Sequence, residues 1–211
     1  MIYAVGIGPG SREDMTFEAM NAIKRSDVIV GYKTYIDLVK DLVKDKEVVS
    51  NGMKQEIARV KKAVEISKTG KTVAVISSGD AGIYGMAGLV LELADGEEVR
   101  VVSGVTASTA AAAVLGAPLM HDFCHISLSD LLTPLDLIYK RISLASEGDF
   151  VICIYNPRSK GRPDYLKNSF EIMKKYKAGS TPVGVVKNAG RENQQVQVCT
   201  IDTIDFESVD M

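Results

Sequence analysis

The chain has 211 residues, 46% hydrophobic and 25% charged, which excludes disorder as its main state because enough apolar surface is available to offset the ordering entropy. Twenty-five basic against 27 acidic residues leave a net charge of −2, without the basic excess of a protein that lives on nucleic acid or on an anionic membrane. Cys124, Cys153 and Cys199 are far apart and odd in number, which argues against a disulfide framework, and no C-x-x-C pair offers a zinc ribbon.

The chain opens directly into a strand-like run, residues 2–5, with no basic n-region and no cleavable signal. No apolar stretch approaches the ~20 residues of a membrane helix. A cytoplasmic protein is expected, with no membrane and no nucleic acid among its partners. The glycine loop 6–10 ends the first strand. A helix follows, with Met15, Ala19, Ala22 and Ile23 at helical spacing. Residues 28–30 form the next strand, stopped by Gly31. A short helix is predicted over 36–43 and a short strand at Val48-Val49. Ile57, Val60 and Val64 form one face of a charged helix that stops before Gly70. Residues 73–76 are a strand, 86–93 a helix, 99–102 a strand, and 106–115 a helix opened by Ser or Thr caps.

Strands spaced by helices imply a parallel sheet covered on both faces. Ligands then meet the loops at the carboxyl ends of the strands, here 6–10, 77–85 and 103–107. Gly116-Ala117-Pro118 breaks the pattern and sets a domain boundary, 1–117 against 118–211. Beyond it come a strand near Ile126, a helix near 135–145, a strong strand over 150–155 and a basic loop over 156–163. A helix over about 164–176 and a strand over 183–187 follow. Gln195-Val196-Gln197-Val198 alternates strictly, as a half-exposed antiparallel strand does. The second half is α/β with a mixed sheet.

Five constellations could carry chemistry. Gly6-Ile7-Gly8-Pro9-Gly10 resembles a dinucleotide fingerprint, but three details argue against one. Its third glycine would fall on Ser11, Pro9 lacks an amide that a phosphate cradle would use, and the second strand ends in Gly31-Tyr32 without a ribose-binding acid. The loop is equally a turn that needs glycine for close approach. Ser77-Ser78-Gly79-Asp80-Ala81-Gly82-Ile83-Tyr84-Gly85 lets a ligand lie against the backbone. Asp80 there either offers a carboxylate to a hydroxyl or cation, or caps the next helix. Ser103-Gly104-Val105-Thr106-Ala107-Ser108 is a small-residue turn into a helix. His121-Asp122-Phe123-Cys124-His125 brings metal-ligand types together, but a strand-like context and the lack of a second cluster argue against a protein-bound metal; a pocket-lining or structural histidine fits better. Arg158-Ser159-Lys160-Gly161-Arg162 is a basic loop after a strand, either solvated or set to meet an anion.

Taken together and in this order, these loops resemble the tetrapyrrole methylase family, the S-adenosylmethionine-dependent enzymes of corrin and sirohaem synthesis. The matching pieces are the 6–10 loop, Gly79-Asp80-Ala81-Gly82-Ile83-Tyr84-Gly85, Gly104-Val105-Thr106-Ala107 and residues 182–188. His121-Asp122-Phe123, the run Ser127-Leu128-Ser129-Asp130-Leu131-Leu132-Thr133-Pro134 and Tyr155-Asn156-Pro157-Arg158-Ser159 resemble the branch that methylates C17 of precorrin-3B or cobalt-factor III. Two positions depart from the pattern. Ala81 stands where the family usually has proline, and the chain stops at Met211, before the family's final strand.

The resemblance implies two α/β domains of the tetrapyrrole methylase type, with the cofactor S-adenosylmethionine in the cleft between them, and a homodimer. It places Pro9, Ser78, Gly79, Asp80, Ile83, Thr106, Ala107, Asn156 and Ala189 against the cofactor. The substrate would be an anionic tetrapyrrole, with Arg158, Lys160 and Arg162 as its rim. Ring contraction accompanies methylation in this branch and moves protons, so His121, then Ser129 or Asp130, are the acid-base candidates. No protein-bound metal is required. A dinucleotide-dependent oxidoreductase and a non-catalytic nucleotide-binding module are the alternatives from other classes.

Overall fold

The computed structural model describes residues 1–52 and 55–210. The chain divides into two compact units, 1–110 with 188–194, and 111–187 with the residues from Gln195 onward. In the first unit β1 (Ile2–Gly6), β2 (Val28–Tyr32), β3 (Glu47–Asn51), β4 (Val73–Ser77) and β5 (Val99–Val102) form one parallel sheet in the order β3-β2-β4-β1-β5. Helices α1 (Phe17–Arg25), α2 (Lys33–Leu38), α3 (Glu56–Ser67), α4 (Ala87–Leu93) and α5 (Ala107–Val114) follow them.

The unbroken apolar runs of β1 and β4 are what a sheet covered on both faces requires. Ile2, Ala4, Val73 and Val75 pack with Val60, Ala63 and Val64 of α3 and Ala87 and Val90 of α4. Tyr3, Val5, Ala74 and Ile76 pack with Ala19, Ala22 and Ile23 of α1. Thr16 caps α1, its Oγ1 accepting from Ala19 N at 3.1 Å, so Met15 lies before the helix, though still buried. Gly31 does not stop β2. It lies inside the strand, where a Cβ would come within 2.7 Å of Ile76 Cγ1. The single helix expected over 36–43 is instead the end of α2 and a separate 3-10 turn, Lys40–Leu42.

The second unit contains β6 (Phe123–Ser127), α6 (Leu135–Glu147), β7 (Val151–Tyr155), α7 (Tyr165–Met173), β8 (Pro182–Lys187) and β9 (Gln195–Thr200). β6 and β7 pair in parallel and β8 and β9 antiparallel. The mixed character is thus carried by two separate two-stranded sheets. Their core includes Ile126, Leu128, Ile138, Ile142, Leu166, Phe170 and Ile201. The division of the chain falls inside α5 rather than at Gly116-Ala117-Pro118. There Gly116 has φ +84°, and Ala117 N donates to Ala112 O at 2.8 Å. That stretch is the closing turn of the helix. Among the described residues no helix is long and apolar enough to cross a membrane.

Candidate functional site

Three loops leave the carboxyl ends of β1, β4 and β5 and meet backbone to backbone. Gly8 N donates to Gly79 O at 3.1 Å, and Gly79 N donates to Gly8 O at 2.8 Å. Ile7 N adds a bond to Ser77 O at 2.9 Å. A Cβ on Gly104 would lie 2.2 Å from Gly79 O and 2.6 Å from Gly6 O, and one on Gly6 would lie 2.6 Å from Gly79 O. Only glycine permits this approach. Gly8 and Gly79 also hold φ of +76° and +69°, which L side chains adopt with strain.

Asp80 locks the junction. Its Oδ1 accepts from Gly82 N at 2.7 Å and Ile83 N at 3.2 Å. Its Oδ2 accepts from Gly104 N at 3.0 Å. Of the two roles expected for this carboxylate, the structure shows it accepting from the protein's own amides, which ties the β4 loop to the β5 loop. Ala81, in the place of the family's proline, is buried with Val75 and Met86, and its carbonyl accepts from Ala87 N at 2.9 Å. Thr106, buried, and Ala107, exposed, stand over Gly79, where a Cβ would meet Thr106 Cα and Ala107 N at 3.8 Å. Ser78 and Ile83 are half-buried in the same loop.

The turn between β8 and β9, residues 188–194, joins this unit. Arg191 Nε donates to Pro9 O at 3.0 Å. Its stem crosses Gly10, where a Cβ would come within 2.4 Å of Arg191 Cγ. Gly190 lies against Pro9, a Cβ there meeting Pro9 Cγ at 3.2 Å. Ala189 is thereby brought to the Pro9 loop. Pro9, Ser78, Gly79, Asp80, Ile83, Thr106, Ala107 and Ala189 therefore belong to one strand-end assembly. Sequence reading missed Arg191 and Gly190, although Asn188-Ala189-Gly190-Arg191 between two strands marks a tight turn. It also missed Ser77, whose hydroxyl at the end of β4 is buried without a hydrogen-bond partner among the described residues, an arrangement that calls for an explanation.

In the second unit Asn156, with φ +50°, donates from Nδ2 to Ser127 Oγ at 2.8 Å, and Ser129 N donates to the same oxygen at 3.1 Å. Asp130 accepts from Tyr165 OH at 2.8 Å and lies 3.8 Å from Arg162 Nε. The basic loop is not a uniform rim. Arg162 donates to Leu128 O and Ser159 Oγ. Arg158 donates to the carbonyls of Phe206 and Glu207 and pairs with the Glu207 carboxylate. Both guanidinium groups brace the protein itself. Lys160 is exposed, without a partner among the described residues.

His121 is exposed ahead of β6. His125, in β6, sits edge-on between the rings of Phe123 and Tyr155 at 5.6 and 5.4 Å. Burial holds its imidazole below the ordinary value, so the unfolded chain takes up a proton that the folded one resists. Stability should therefore fall as the pH drops through about 6.5. Urea titrations at pH 7.5 and 5.5 should show that loss, and His125→Gln should reduce it; an equal loss in the variant refutes the assignment. Among the described residues no three His, Cys, Asp or Glu side chains gather as a metal site.

The model for Tetrapyrrole (Corrin/Porphyrin) Methylases matches residues 1–205. A relative named probable cobalt-factor III C(17)-methyltransferase, from Salmonella typhimurium, is 56% identical, covering all of this chain and 89% of its own. One named precorrin-3B C(17)-methyltransferase, from Sinorhizobium sp, is 38% identical over all of this chain and 85% of its own. The crystal structure of the methyltransferase CobJ superposes with a TM-score of 0.93 at 33% identity, covering all of this chain and 90% of that one.

Proposed function

The chain belongs to the tetrapyrrole (corrin/porphyrin) methylases, and from that premise we propose that it is an S-adenosylmethionine-dependent C-methyltransferase of cobalamin biosynthesis. It methylates C17 of the tetrapyrrole macrocycle, with ring contraction. Identity of 56% to the cobalt-factor III relative against 38% to the precorrin-3B relative favours the cobalt-bearing ring as substrate.

The observation that carries the reading is the side-chain-free junction of Gly6, Gly8, Gly79 and Gly104 at the carboxyl ends of the strands. A thin ligand can lie against such backbone, because no side chain stands in its way. S-adenosylmethionine has no phosphate, so the missing amide of Pro9 is no loss. The cofactor, when bound, supplies a methyl group already activated on a sulfonium. The protein's task is alignment, which can contribute ~7–11 kcal/mol. The Pro9 loop, the 78–83 loop, Thr106 and Ala107 hold the cofactor, while Asp80 and Arg191 hold those loops. For the proton movements of ring contraction His121, an exposed imidazole ahead of β6, is the first assignment. Ser129 comes second, because Tyr165 and Arg162 engage Asp130. The same reading extends to a homodimer in the cytoplasm, by analogy with the family.

S-adenosylhomocysteine at about 100 times its dissociation constant should stabilise the protein by ~2.7 kcal/mol, raising Tm by roughly 5–10 °C. NAD and ATP should not. Anaerobic incubation with cobalt-factor III and S-adenosylmethionine should give a product heavier by one methyl group. A shift with NAD and none with S-adenosylhomocysteine would turn the reading towards an oxidoreductase.

A further inference from the structure

The connection from β6 to α6 carries two adjacent leucines in solvent, Leu131 at 81% exposure and Leu132 at 98%. Single exposed leucines need no explanation, but a contiguous apolar tip on an anchored loop does. Leu128, at the base of the loop, is fully buried. Ser129 N and Asn156 Nδ2 converge on Ser127 Oγ. Arg162 bonds to Leu128 O, and Tyr165 OH bonds to Asp130. The base is held at several points, and the apolar tip is held out.

Arg162 also organises the neighbouring loop. Its Nε donates to Ser159 Oγ at 3.2 Å, and its backbone N donates to Ser159 O at 2.9 Å. This closes a tight turn with Lys160 and Gly161 at its tip. Lys160 is exposed and has no partner among the described residues. An apolar tip and a cation thus stand on one scaffold, at the carboxyl ends of the parallel pair β6–β7, where α/β units receive ligands.

We propose that these two loops form the macrocycle-binding surface. Leu131 and Leu132 cover the apolar face of the tetrapyrrole ring, Lys160 meets a peripheral carboxylate, and Arg162 is the positioning residue that holds both in register. The proposal rests on the function given above. It commits to a flat apolar ligand with an anionic rim, because an apolar tip and a cation stand on two loops that Arg162 ties together. A peptide-like or second-copy occupant would not need the lysine.

The test uses the full chain with cobalt-factor III, titrated anaerobically by difference absorption, alongside S-adenosylhomocysteine calorimetry and sedimentation. The double variant Leu131→Ser/Leu132→Ser and the single variant Lys160→Glu should each weaken ring binding about tenfold or more. Their affinity for S-adenosylhomocysteine and their sedimentation should not change. Lys167→Glu, an exposed charge reversal on α7, should leave ring binding intact. Arg162→Gln should raise KM for the ring about tenfold at nearly constant kcat, and Arg162→Lys should restore part of the loss. Unchanged ring affinity in the leucine and Lys160 variants overturns the proposal. So does a parallel fall in both ligands, or a change in oligomeric state, which would assign the leucines to a second copy. If the wild type binds S-adenosylhomocysteine but not cobalt-factor III, the functional reading itself fails.

Discussion

Gly104→Ala is expected to abolish S-adenosylhomocysteine binding and to lower stability by about 3 kcal/mol. The new methyl carbon would lie 2.2 Å from Gly79 O and 2.6 Å from Gly6 O. Both obstacles are backbone, and both belong to other loops. Neither can turn aside as a flexible side chain would, so the β5 loop must withdraw. That withdrawal also pulls Gly104 N away from Asp80. Gly88→Ala is the matched control. Gly88 is in α4 with nothing within 4 Å of its added Cβ, and the change should stabilise by roughly 0.5–1 kcal/mol. Thermal unfolding and calorimetry on both variants check this. A Gly104→Ala protein with wild-type Tm and affinity would show that the three loops do not form the binding junction.

The second large effect is expected at Asp80. Leucine there removes both oxygens and leaves Gly82 N, Ile83 N and Gly104 N without their acceptor. Hydrogen bonds to a charged group are worth about 1.5–3 kcal/mol each, but the partly exposed amides recover water. A net loss of about 3 kcal/mol is therefore expected. S-adenosylhomocysteine affinity should fall with it, tenfold or more, because the β4 and β5 loops lose their connection. Asp80→Asn keeps one acceptor oxygen and should fall between the two. The measurement is chemical denaturation with calorimetry on the same three proteins. If Asp80→Leu is as stable as Asp80→Asn, the carboxylate is not the tie between the loops.

These two residues mark the limit of what could be read in advance. Glycines at 6, 8, 79 and 104, each just after an apolar strand, were legible as places where a ligand or another backbone comes close. That Gly79 and Gly104 meet each other was not. Asp80 was legible as a polar group in a glycine-flanked turn. Its Oδ2 partner lies 24 residues on, so a ligand and a neighbouring amide were equally good readings. The basic loop shows the same ambiguity more sharply. Arg158, Lys160 and Arg162 look alike in a row of letters, yet Arg158 reaches Glu207, 49 residues away, Arg162 reaches Leu128, 34 residues back, and Lys160 reaches nothing described.

The sequence by itself determined the layered α/β plan. Buried parallel strands must be apolar on both faces, and residues 2–5 and 73–76 are. It determined the antiparallel β9, because strict alternation has period two. It also determined which glycine-rich loops lie at the carboxyl ends of the strands, since these follow from strand ends alone. Tertiary structure decided everything that depends on pairs far apart in the chain. It showed that Gly31 is a packing contact with Ile76 and not a stop, and that Arg191 reaches Pro9 O across 182 residues. It showed too that two of the three arginine and lysine side chains in the basic loop are braces. The physical reason is that periodicity and turn propensity are local, whereas the choice of hydrogen-bond partner is made only when the folded chain brings donor and acceptor within about 3 Å.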